Sequence, residues 1–200
     1  MLIYLVRHGQ TLFNTQGRIQ GQQDSPLTET GIATTQKTAL ALKDKGITTI
    51  VSSCLGRAQQ TSQILAQNLG AKIVLDERLN EIRLTPWEGR RKQDLIKENN
   101  QEYISYITKP HQYTSTLCEE FGHLMQRTYA CLCDVVERYK GETLLLVSHE
   151  IALRTLLLAI KKQPVTADFW KTIVPQSSIT TVRFDGKEFS LVGDCCQLPQ

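Results

Sequence analysis

Short apolar runs alternate with stretches of helical period along most of this chain, and that alternation constrains it more than any other feature. Residues 2–6, 47–51, 72–75 and 143–147 read as strands, the last being the most apolar. Between them, Thr28 reads as the N-cap of a helix that runs to about Lys45 and stops at Gly46. A second helix spans about residues 56–69 and closes at Gly70. A third is expected over residues 117–139, with Gly141 behind it, and residues 151–160 form a fourth. Such repetition builds parallel strands joined by crossover helices. The expectation is an α/β three-layer sandwich, a mostly parallel central sheet flanked by helices. It ends in a hairpin of about residues 178–184 and 189–192, turned at Asp185-Gly186. The polar stretch from about 85 to 116 breaks the rhythm, with helical pieces near 91–98 and 102–107. It reads as a cap-like insertion in a single domain of residues 1–200.

Other classes find little support. The 23 basic and 20 acidic side chains leave a net charge of only +3, with no dense basic stripe for nucleic acid. No apolar run approaches the roughly 18 residues of a membrane span. The opening apolar run is too short for a signal peptide, so a cytoplasmic setting is expected. None of the six cysteines forms a Cys-x-x-Cys pair and only four histidines accompany them, so no metal site is expected and the thiols read as reduced.

In open parallel sheets, ligands sit beyond the carboxyl ends of the strands. Three strand ends here carry unusual chemistry: Arg7-His8-Gly9 after the first, Ser52-Ser53-Cys54-Leu55-Gly56-Arg57 after the second, and Ser148-His149-Glu150 after the strand at 143–147. Two of the four histidines and two arginines therefore fall on one rim. Guanidinium groups offer paired donors to phosphate oxygens. Helices starting near Gly56 and Glu150 add positive dipole ends. Gly9 is read as letting the backbone approach a ligand. Together these features describe a pocket for a phosphoryl group.

The motifs sharpen this. Leu5-Val6-Arg7-His8-Gly9-Gln10-Thr11, Asn14, and the run from Arg18-Ile19-Gln20-Gly21 to Leu27-Thr28 resemble the opening of the histidine phosphatase superfamily, the phosphoglycerate-mutase-like enzymes. Ser52-Ser53-x-Leu55-x-Arg57-Ala58-x-Gln60-Thr61, Leu79-x-Glu81-Ile82 with Trp87-Glu88-Gly89, and Val147-Ser148-His149 resemble its later blocks. The resemblance covers the chain to about residue 160. It implies a phosphoglycerate mutase-like fold and hydrolysis of small phosphorylated metabolites without a cofactor. His8 would be the nucleophile, passing through a phosphohistidine. Arg7, Arg57, His149 and Asn14 would hold the phosphoryl group, Glu81 would protonate the leaving alkoxide, and Gln20 and Gly21 would line the pocket mouth. Nearby arginines are expected to keep Glu81 ionised until an incoming phosphate dianion raises its pKa.

Three features depart from the resemblance. Glu150 stands where glycine or another small residue is usual, and is read as lying near the pocket and repelling doubly anionic substrates. Leu84-Thr85-Pro86 alters the loop after Glu81. Only 68 positions separate Glu81 from His149, which is short for the mutases of the family. A phosphatase is therefore the favoured reading. A bisphosphate-dependent phosphoglycerate mutase and a phospho-ligand binder without turnover are the alternatives. Oligomeric state stays open.

Overall fold

The computed structural model describes residues 1–199. Its strands are β1 (Leu2–Arg7), β2 (Ile47–Ser52), β3 (Lys72–Leu75), β4 (Thr143–Ser148), β5 (Ile179–Phe184) and β6 (Phe189–Gln197). Its helices are α1 (Leu12–Thr15), α2 (Glu29–Leu42), α3 (Gly56–Leu69), α4 (Lys92–Lys97), α5 (Gln101–Thr108), α6 (Phe121–Arg138) and α7 (Glu150–Ile160). The strands form one sheet in the order β3-β2-β4-β1-β5-β6. β3, β2, β4 and β1 run parallel; β5 joins β1 antiparallel and carries the terminal hairpin. The expected mostly parallel sheet flanked by helices is present.

Strand alternation explains the layering. Ile3, Leu5, Leu144 and Leu146 turn to one face, where they pack with Leu132, Val135 and Leu153 of α6 and α7. Tyr4, Val6, Leu145 and Val147 turn to the other, against Ala39 and Leu42 of α2 and Ala58 and Leu65 of α3. Both faces are covered, so these strands read as unbroken apolar runs. The register places Arg7 beside Ser148 and Ser52 beside Val147, so the ends of β1, β4 and β2 lie side by side.

Residues 85–116 contribute α4 and α5 to a third core. Trp87 is almost fully buried there, and its ring meets those of Tyr103 and Tyr106 at 5.3 and 5.4 Å. Phe121, Phe169 and Trp170 continue the aromatic cluster.

Two boundaries differ from the sequence expectation. The long helix begins at Phe121 rather than near 117, because residues 115–120 are tied elsewhere. The Ser115 hydroxyl accepts the amides of Leu117 and Cys118, and the Glu119 amide donates to the Arg83 carbonyl. The last strand runs on to Gln197 across a register shift, well past 192.

The reading of Gly9 also needs correction, because its missing side chain makes room for a helix. A Cβ at Gly9 would lie 2.8 Å from the Gly31 carbonyl oxygen and 2.7 Å from Thr35 Oγ1; one at Gly31 would lie 2.2 Å from the Gln10 carbonyl oxygen. The first turn of α2 thus presses on the backbone just after His8. Gly31→Ala is expected to cost about 1–3 kcal/mol by overpacking, read by urea denaturation. Gly122→Ala, also in a helix but with open space around it, should be neutral or stabilising by up to about 1 kcal/mol.

Candidate active site

His8 leaves β1 with its amide bonded to the Ser148 carbonyl, and its ring is buried. Its Nδ1 lies 2.7 Å from the Gly9 carbonyl oxygen. A carbonyl can only accept, so Nδ1 carries the proton and Nε2 keeps a free lone pair. The His149 ring stands 5.1 Å away, centroid to centroid.

A relay fixes His149 in turn. The Cys54 amide donates to Asn80 Oδ1, which identifies that atom as an oxygen. The Ser53 hydroxyl therefore donates to Asn80 at 2.8 Å and must accept from His149 Nε2 at 2.7 Å. That leaves His149 Nδ1 as the atom without a protein partner.

Both arginines are held from behind. Arg57 gives its Nη atoms to the carbonyls of Gly21 and Gln23 and to Asp24, whose carboxylate also accepts the amides of Gly56 and Arg57. Arg7 donates to the Val174 carbonyl and pairs with Glu150 at 2.9 Å. The Nε of each guanidinium is buried and unpartnered. Such orphaned donors are costly unless something occupies the site.

Glu81 sits across the same cleft. Its carboxylate accepts the amides of Ile82, Ile151 and Ala152, the last two from the first turn of α7. Burial nevertheless pushes its pKa up, outweighing those bonds and the attraction of Arg57. Desolvation is thus the larger effect on Glu81, and it acts before any phosphate dianion arrives, while Arg57 pulls the other way as expected.

Arg7, His8, Asn14, Gln20, Gly21, Arg57, Glu81 and Glu150 all line one cleft; His149 is fully buried and meets it only through its neighbour His8. Asn14 Oδ1 is spent on the Thr11 amide and hydroxyl, so its Nδ2 is the group left to donate. Gln20 Oε1 accepts from the Ser25 hydroxyl and competes with Asn14 for the single proton of the Thr11 hydroxyl.

Three contributors were not apparent from the sequence. Arg127 donates to the carbonyls of Arg78, Asn80 and Glu81 and pairs with Glu119 at 2.7 Å, so it clamps the segment bearing Glu81. Asn80 and Arg154 are the others; Arg154 braces Glu150 at 2.9 Å. Among the described residues, no group of three or more His, Cys, Asp or Glu is placed to hold a metal, and no helix is long and apolar enough to cross a membrane.

The histidine phosphatase superfamily (branch 1) matches residues 3–195. A probable phosphoglycerate mutase of Yersinia pestis is 40% identical over 166 residues, which is 83% of this chain and 77% of that protein. Among solved structures, Bacillus stearothermophilus YhfR superposes with a TM-score of 0.90 at 34% identity, covering 95% of this chain and 94% of its own. A putative alpha-ribazole-5'-P phosphatase from Escherichia coli gives 0.84 at 26% identity, covering 96% and 94%.

Burial, then the charges of Arg57 and Arg7, hold His8 well below the ordinary imidazole value of 6.5; burial and Arg57 do the same for His149. The unfolded chain therefore binds protons that the native state refuses, and stability falls as pH drops below about 6.5. In urea denaturation from pH 7.5 to 5, replacing both histidines with glutamine should flatten that acid-side loss. An unchanged slope would show that neither ring is held neutral.

Proposed function

Because the chain belongs to the histidine phosphatase superfamily, we propose that it hydrolyses phosphate monoesters of small cytoplasmic metabolites through a phosphohistidine on His8. One observation carries this reading. The free lone pair of His8 Nε2 shares the site with two buried arginine donors that have no protein partner, Arg7 Nε and Arg57 Nε, and with His149 Nδ1, which is unpartnered and becomes a donor only once that ring takes up a proton. A tetrahedral oxyanion supplies acceptors for such a set, and positioned cations stabilise charge spread over its equatorial oxygens.

In the first step, Nε2 attacks phosphorus in line, the N–P bond forms and the P–O bond to the alcohol breaks. Glu81 gives its proton to the departing oxygen. In the second, the Glu81 carboxylate takes a proton from water, and that water displaces phosphate from the histidine. The raised pKa of Glu81 suits the first role; its proximity to the charge of Arg57 suits the second. His149, kept neutral by burial, takes a proton from solvent on Nδ1 as a phosphate dianion enters, or receives the one that a monoanionic ester brings, and then donates to the phosphoryl oxygen.

A phosphoglycerate mutase is the second reading, favoured by the 40% identity to the Yersinia protein of that name. Incubation with 3-phosphoglycerate, with and without 2,3-bisphosphoglycerate, separates the two: free phosphate supports the phosphatase, and 2-phosphoglycerate supports the mutase.

His8→Ala should lower turnover by on the order of 10³-fold or more and abolish acid-labile, base-stable labelling by a phosphate donor. Labelling that persists in the variant would refute His8 as the nucleophile. Glu81→Gln should slow esters of alkyl alcohols far more than aryl phosphates, whose leaving groups need no proton. Equal losses on both would remove Glu81 as the acid. With native Glu81, alkyl ester hydrolysis should decline as pH rises through a value above the ordinary 4.5.

A further inference from the structure

Beyond the phosphoryl end, the cleft changes character. It encloses about 270 Å³, and its remaining walls include Ile82, Leu84, Tyr106, Ile107, Ile151 and Trp170. The Tyr106 hydroxyl and the Trp170 indole nitrogen are buried without any protein partner. The walls thus offer mainly apolar area.

Besides the acid Glu81, the carboxylate that lines the cleft is Glu150. It is not loose. Oε2 pairs with Arg7 at 2.9 Å and Oε1 with Arg154 at 2.9 Å, while Arg154 is itself buried, with its guanidinium carbon 5.2 Å from the Phe169 ring centroid and 5.0 Å from that of Trp170. The carboxylate is therefore fixed between two guanidiniums, one of them on the phosphoryl site, with about a third of its side chain still exposed. Arg18 and Lys92 also line the cleft, but from the elements joined by the Arg18–Arg91 bridge. The two cations on the Glu150 side, Arg7 and Arg154, are both already paired with it.

We propose that the preferred substrate is the phosphate monoester of a bulky, uncharged, largely apolar alcohol, and that Glu150 excludes esters with a second anion on the carbon beside the ester. This rests on the phosphatase reading above and names the substrate class of that same site. The apolar walls gain from desolvating the alcohol. A carboxylate a few ångströms from the exposed oxygens of Glu150 meets a repulsion that the two arginines reduce, and it finds their facing donors already taken; at a partly buried site that combination is enough to change binding by about an order of magnitude.

The test compares kcat/KM for 3-phenylpropyl phosphate, 2-hydroxyethyl phosphate and 2-phosphoglycolate. The last two differ chiefly in charge beside the ester. The expected order is as written, with about a tenfold drop or more at each step. Glu150→Gln should bring the second ratio toward unity and leave the first in place. Ile107→Ser should shrink the first ratio and leave the second. In the native protein, raising salt should narrow the second ratio alone, which keeps the test valid if a variant folds poorly. A second ratio near unity, or one insensitive to both Glu150→Gln and salt, overturns the exclusion. A first ratio near unity overturns the apolar preference. The matching phosphonates, whose binding is followed by calorimetry, give the same ratios without turnover. If none of the esters releases phosphate while the phosphonates bind in the expected order, the phosphatase reading fails and the substrate class stands.

Discussion

Two guanidinium groups and two imidazoles are buried together at one end of a parallel sheet, and the surrounding structure has to make that tolerable. Each group is less than 10% exposed. Isolated buried charge is expensive, and like charges at close range add to the cost. The protein answers in two ways. It keeps both imidazoles neutral, and it wraps the arginines in acceptors: Asp24 and two carbonyls around Arg57, Glu150 and the Val174 carbonyl around Arg7. The residual attraction for an anion is what the site has to offer a substrate.

Glu81 is governed by the same balance with the sign reversed. Three amides and a nearby guanidinium favour its charge, while burial opposes it and prevails. A carboxyl group in that position is poised to change protonation when the charge around it changes, as it does when phosphate enters and when the alcohol leaves. Placing the amides of α7 against it ties the acid to the helix that also carries Glu150.

Much of this was readable in the chain because strand ends converge whenever a sheet is parallel. Arg7, His8, Arg57 and His149 each follow an apolar run, so their neighbourhood follows from topology. Asn80, Ser53 and Arg127 act through bonds between segments 26 to 96 residues apart, and no local pattern announces such partners. Arg127 in particular lies in the middle of a long helix, where an arginine ordinarily reads as a solvated side chain. Gly9 shows the opposite failing. Its identity was legible and its reason was not, since nothing near it in sequence reveals that Gly31 packs against it. The start of α6 was misplaced for a similar cause: the Ser115 hydroxyl and the Arg83 carbonyl claim the amides that an earlier helix start would leave to water.

The carboxyl-terminal segment does more than complete the sheet. The Val174 carbonyl holds Arg7, the Ser177 amide bonds to the Arg7 carbonyl, and the amino terminus donates to Phe184. The first strand therefore receives its final restraints from residues made more than 160 positions later. On the ribosome, a nascent chain would expose Arg7 and His8 long before the groups that position them emerge from the exit tunnel. Assembly of the pocket has to wait for that segment, and a product cut short before it would carry the nucleophile without the geometry that gives it a use.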